Sequence, residues 1–216
     1  MQKTKKYFII LLQSVTVNRA CFNMERNILS ERGGTFVKKR VSQSNVQVRI
    51  DMYKALLRLM RAKAFSSISV SDLTLEAGVS RMSFYRNYNA IEDILTEHLV
   101  EVVEEYKAEE FDEPGAESEK IFYKKEYMLR CFHFFYLHRE FIDALITAGM
   151  GDLFLAKITE YLIRKWTNIE KRTREESLRI SAFAGAIYNT YREWSKEDFL
   201  EKPERVAAVL YDFRKI

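Results

Sequence analysis

The side chains best suited to a specific chemistry fall within one short run. Ser80, Arg81, Ser83, Arg86 and Asn87 are polar groups at close intervals after the step Ala77-Gly78-Val79. Arginine reaches guanine edges bidentately or holds a phosphate, while serine and asparagine suit phosphate oxygens. To act together they need a short helix that exposes Arg81, Ser83 and Arg86 and buries Phe84. Such a helix fits a DNA major groove roughly 12 Å wide. A structural corner of two helices with a solvated basic face has the same pattern, so spacing alone leaves both readings open.

Other chemistries find less to work with. Glu104-Glu105, Glu109-Glu110 and Glu175-Glu176 are carboxylate pairs on charged helical faces, where solvation rather than acid–base work is expected. His133 and His138 are five residues apart, off the i, i+4 spacing by which a helix pairs two metal-ligating histidines. No GxSxG elbow, Walker loop or dinucleotide fingerprint occurs. Two cysteines, Cys21 and Cys131, make neither a disulfide framework nor a cysteine-based zinc site, which implies a reducing, cytoplasmic setting. The chain therefore reads as a binding protein rather than an enzyme, with no cofactor and no metal.

The elements that must carry the basic run are helical. Seven glycines and two prolines in 216 residues argue against a turn-rich all-β fold, and 47% hydrophobic residues exclude a disordered chain. No apolar run approaches the roughly 18–20 residues of a membrane span, so a soluble, all-α chain without a membrane partner is expected. Charge is uneven: residues 1–36 and 37–98 each carry a net +4, and residues 99–216 carry −4. A basic front half on an acidic rear half suggests a polyanion-binding end joined to a body with another task.

From Asn45, placed to cap a helix, Val46, Ile50, Tyr53, Leu57 and Met60 recur at three- and four-residue intervals. After a break at Phe65-Ser66-Ser67, Ser69 or Ser71 caps a short helix containing Val70, Leu73 and Ala77, and Gly78 stops it. Ser80 caps a second short helix that ends at Asn87-Tyr88-Asn89, and a long helix begins near Ala90. Beyond a break at Asp112-Glu113-Pro114-Gly115, helices are expected at about Glu119–Leu137, Glu140–Ala148, Asp152–Asn168, Arg174–Trp194 and Pro203–Phe213.

The stretch from Ile68 to Tyr88, ISVSDLTLEAGVSRMSFYRNY, followed by Glu92-Asp93-Ile94-Leu95, closely resembles the DNA-binding region of TetR/AcrR-type transcriptional regulators. The resemblance covers about residues 46–100 and continues weakly through Gly185–Trp194 and Pro203-Glu204. It implies a three-helix helix-turn-helix head over 45–98, preceded by a basic arm over 37–44. A long connecting fourth helix and a C-terminal helical body over 99–216, for dimerisation and regulation, would follow. The implied function is sequence-specific binding of a double-stranded DNA operator by a homodimer, as a repressor, with a small-molecule effector as an option. A protein-interaction module or co-activator is the alternative.

By the same resemblance Ser80–Tyr85 is the recognition helix. The expected DNA-contacting set is Thr74, Ser80, Arg81, Met82, Ser83, Tyr85, Arg86, Asn87 and Tyr88, with Tyr85 and Tyr88 at the family's aromatic positions near the DNA backbone. Two residues depart from the family pattern. Ile91 stands where a lysine often contacts a phosphate at the start of the fourth helix, which supports the alternative. Met82 replaces a small residue, and either touches a thymine methyl or packs internally.

In the body, the aromatic cluster Phe132, Phe134, Phe135, Tyr136, Phe141, Phe154, Tyr161 and Trp166 reads as an ordinary core or as the lining of a small apolar ligand site. The candidate pocket residues are Phe132, His133, Tyr136, Phe154, Tyr161 and Trp166, with His133 and Tyr136 as its polar groups. In Arg174–Trp194, a stripe of Ile180, Phe183, Ile187, Tyr191 and Trp194 faces the core. A second stripe, Leu178, Ser181, Gly185, Tyr188 and Arg192, has small residues that permit close helix approach, and Val206, Val209, Leu210 and Phe213 give the last helix a matching face. The expected dimer interface is a two-fold four-helix contact through Ser181, Gly185, Tyr188, Val206, Leu210 and Phe213. It would set two heads about one DNA turn apart, roughly 34–36 Å.

Residues 1–36 lack a helical period and hold an isolated apolar run, Tyr7–Leu12, too short for a signal-peptide core. Glu31-Arg32-Gly33-Gly34 is what an AGGAGG-type ribosome-binding site spells in frame, and Val37 just beyond it is encodable by GTG. The expectation is that translation starts at Val37 and that 1–36 is a leader. A disordered basic arm that helps to hold DNA is the alternative.

Overall fold

The structure is a computed structural model that describes residues 43–108, 125–166 and 172–213. The expected leader over 1–36, the side chains of the basic arm over 37–44, the break at 112–115 and the start of the helix expected from Glu119 lie outside the described residues. So do the side chains of Trp166 and Phe213.

Among the described residues every regular element is a helix. In chain order they are α1 (Gln43–Ala62), α2 (Val70–Ala77), α3 (Arg81–Asn87), α4 (Glu92–Ala108), α5 (Lys125–Leu137), α6 (Arg139–Thr147), α7 (Gly151–Trp166), α8 (Arg174–Lys196) and α9 (Pro203–Phe213), with one 3-10 turn at Phe65–Ser67. None of these helices is long and apolar enough to cross a membrane.

Local chemistry explains the first breaks. Asn45 lies inside α1 rather than at its cap; its side-chain oxygen accepts a 3.3 Å hydrogen bond from Asn87 and so ties α1 to the end of α3. Ser69, not Ser71, caps α2: its Oγ accepts from the Asp72 N–H at 3.1 Å, while the Asp72 carboxylate accepts from the Ser69 N–H at 2.9 Å. Lys63 at the end of α1 donates to the same carboxylate at 2.8 Å. Gly78 ends α2 with φ at 67°, in the left-handed region. A Cβ there would meet no atom within 4 Å, so backbone angle rather than space calls for glycine. Ser80 Oγ then accepts from the Ser83 N–H at 3.0 Å and opens α3. The Asp93 carboxylate takes the N–H groups of Asn89 and Ala90 at 2.8 and 3.0 Å and opens α4.

Packing joins these pieces. Met52, Leu56, Leu73, Phe84, Ile94 and Leu95 are wholly or almost wholly buried at the front of the molecule. At the rear, α9 lies along α5 and α7 packs on α8. Phe132 meets Trp194 edge-to-face at 6.0 Å, and Phe135 meets Tyr191 at 5.6 Å. Asp198 and Phe199 turn the chain between α8 and α9 with φ of 51° and 57°, and the Trp194 indole N–H donates to the Glu201 carbonyl at 2.8 Å. Front and rear meet where the rings of Tyr53 of α1, His98 of α4 and Phe141 of α6 touch, Tyr53 tilted on His98 with centroids 4.0 Å apart and His98 edge-to-face with Phe141 at 4.6 Å. Arg61 and Glu140 form an ion pair across the same junction.

The Asp72 carboxyl is held well below the ordinary carboxylate range, first by the bond from Lys63 and then by the hydroxyl and N–H of Ser69. Its folded-state pKa is depressed, so its contribution to stability is complete above the ordinary carboxylate value and is lost as pH falls through the depressed one. Asp72→Asn should therefore destabilise the fold at neutral pH, and its deficit should shrink on acidification below about pH 4. Urea unfolding of both proteins across that range checks the sign.

Candidate nucleic-acid interface

The basic run sits on a compact unit of two short helices. The N–H of Gly78 donates to the Leu75 carbonyl at 3.2 Å and that of Val79 to Thr74 at 3.0 Å, which closes the turn after α2. Phe84 is wholly buried, with its ring edge-on to Tyr85 and tilted against Tyr88. Anchoring Phe84 inward turns Met82, Tyr85 and Arg86 outward, and Arg81, in the first turn of α3, is exposed beside them. Met82 and Tyr85 keep 64% and 59% of their surface in solvent, so Met82 does not pack internally. The Arg81 guanidinium donates to Ser71 Oγ of α2. Ser80 and Ser83 share a 2.9 Å hydroxyl contact. Asn87 is half-buried, donating to the Ser83 carbonyl at 2.7 Å as well as to Asn45.

Two residues expected to touch DNA are instead internal. Thr74 is buried at 4% exposure, and its hydroxyl donates back to the Val70 carbonyl at 2.8 Å, because its place on α2 faces α1 and α3 rather than solvent. Tyr88 is buried where the chain leaves α3, with its hydroxyl bonded to Arg49 and Glu97. Burial, then the charge of Glu97, pushes its phenol up to about 12. Ile91 is buried too, so this position adds no surface group.

Most cations of α1 are already engaged. Arg49 pairs with Glu97 of α4, Arg58 with Glu76 of α2 at 2.5 Å, and Lys63 with Asp72 at 2.8 Å. Arg86 has no ion pair among the described residues. Among the described cations of residues 43–98, Arg81 and Arg86 of α3 and the exposed Lys54 of α1 have no carboxylate partner.

The rear cavity differs from the expected pocket. A cavity of about 60 Å³ lies between α4, α5 and α7, with walls that include Val102, Tyr106, Cys131, Phe135, Phe154 and Tyr161. Phe154 and Tyr161 were among the expected lining; Phe132, His133 and Tyr136 are not part of it. Helical period explains the split: Met128, Cys131 and Phe135 share the cavity face of α5, and 132, 133 and 136 point round towards α8 and α9. His133 bonds Glu204 of α9 at 3.0 Å. Tyr136 stacks on Trp194 at 5.8 Å and lies under the Arg139 guanidinium. The α4 wall, Leu99, Val102 and Tyr106, belongs to an ordinary apolar helical stripe, and nothing in its spacing marks a void.

The expected subunit interface is also redistributed. Val206 and Leu210 are buried by α9 packing along α5 within the chain, and Tyr188 is buried against Phe154 and the backbone of Gly151. Leu178, Ser181 and Arg192 of α8 and Val209 of α9 are exposed, and a Cβ on Gly185 would meet no atom within 4 Å.

No protein-family model matches this chain, and no curated protein matches it either.

Burial pushes the Cys131 thiol up to about 12, so the nucleophilic thiolate is scarce at neutral pH. In a Cys21→Ser chain, Cys131 should react with a thiol reagent only after denaturant is added. Comparable rates with and without denaturant would contradict its place in the cavity wall.

Proposed function

We propose that the chain is a sequence-specific, DNA-binding transcriptional regulator that acts as a homodimer in the cytoplasm, with α1–α3 as a helix-turn-helix head. In this reading α3 enters the major groove and its dimer mate reads a second half-site. The observation that carries it is the exposed surface of α3, where Arg81, Met82, Tyr85 and Arg86 are all open to solvent while Phe84 anchors the helix inward. The TetR/AcrR resemblance of residues 46–100 agrees with that face and adds repression as the sign of regulation.

The rear cavity suits an effector only after expansion. At about 60 Å³ it is smaller than the roughly 150 Å³ engineered cavity known to admit benzene. A ligand that widened it would press on α4, which also carries His98 at the junction with α1 and α6, and would shift the head. A second reading, a protein-interaction module, draws on the exposed Leu75, Met82 and Tyr85 and on the buried Ile91 in place of the family's lysine.

A gel shift with duplex DNA from upstream of the chain's own gene separates the two. Arg81→Ala should weaken specific binding by about 1–3 kcal/mol and relax sequence preference. Unchanged affinity with an intact fold removes the role given to Arg81. Light scattering at micromolar concentration should show a dimer. Gly185→Arg should give a folded monomer, because the protomer itself leaves space at that Cβ. A wild-type monomer counts against the paired heads.

A further inference from the structure

Resting on that reading, we infer that Met82 recognises the C5-methyl group of a thymine, and that each half-site of the operator carries a T·A pair at the position Met82 faces. The sequence allowed Met82 either an internal or an external role, and its 64% exposure removes the internal one. The inner face of α3 is already filled by Phe84, which is wholly buried. The Met82 side chain has neither an N–H nor an O–H to offer a phosphate or a polar base edge. In the major groove the apolar group that distinguishes one base is the thymine methyl.

The surroundings select this partner over an apolar protein surface. Arg81 precedes Met82 directly and Arg86 follows it by four residues; both are exposed, and by helical period they lie to either side of Met82 and Tyr85 round α3. Two cations framing two apolar side chains match two phosphate strands flanking a line of base edges. Tyr85, one turn on from Met82, continues the apolar centre. The flexible thioether chain lets Met82 settle against a methyl without exact register.

The test starts from in vitro selection of the full chain against a random duplex pool. The selected duplex is then remade with deoxyuridine in place of each thymine in turn, which removes the methyl and keeps the base pairing. One position per half-site should weaken wild-type binding by about fourfold, the worth of one buried methyl-sized group. Met82→Gln, of similar length, should lose that discrimination, and Met82→Leu should keep it. Wild-type binding that ignores deoxyuridine everywhere, or a Met82→Gln protein that discriminates as wild type does, overturns the role of Met82. In that case Arg81-dependent enrichment of a duplex would leave the DNA-binding reading standing. If no duplex is enriched over the pool, the DNA-binding reading falls and this inference falls with it, leaving the exposed face to a protein partner.

Discussion

A seven-residue helix such as α3 does not hold its shape in water, since isolated helices shorter than about 12–15 residues are marginal even with favourable composition. It exists here because Phe84 is buried on its inner face. The other devices serve that burial: the Ser80 cap starts the helix, Gly78 turns the chain into it, and Ser69, Asp72 and Lys63 lock α2 against α1 beforehand. Fixing one inward side chain on a helix fixes the outward set by period, and this orients Met82, Tyr85 and Arg86, while Arg81 at the helix start donates to Ser71 of α2.

The head also sorts its charges. Of its ten basic side chains over 37–98, the seven described do not form one surface. Arg49, Arg58 and Lys63 face carboxylates on neighbouring helices and serve the fold, while α3 keeps its arginines outward. Net charge thus overstates the area able to meet a polyanion. Much of it is internal stitching at partly exposed positions, where each pair contributes modestly.

The rear of the molecule is built around α5, which has no solvent-facing stripe of any width in its second half. One side walls the small apolar cavity with α4 and α7, and the other packs under α9 and the end of α8. Tyr191 ties this layer to α6 by donating to the Asp143 carboxylate at 2.9 Å. Burial, ahead of the opposing Tyr191 bond, raises the Asp143 pKa. Because α4 belongs both to the cavity wall and to the Tyr53–His98–Phe141 junction, any change in the cavity has a rigid element through which to reach the head.

The sequence by itself determined the helices and most of their ends, because caps, glycine turns and apolar periods act within a few residues of themselves. Ser80, Gly78 and Asn87-Tyr88-Asn89 mark α3 within a residue of its observed bounds, and Pro203 marks the start of α9. Tertiary structure alone decided what covers each face. A stripe of apolar residues announces that something must bury it, but not whether that is a neighbouring helix, a second subunit or a ligand. Val206 and Leu210 are covered by α5 of their own chain, Thr74 and Tyr88 are drawn into the head, and His133 reaches Glu204, 71 positions along the chain. Met82 is left in solvent for the same reason in reverse: Phe84 already occupies the one inward position that so short a helix provides.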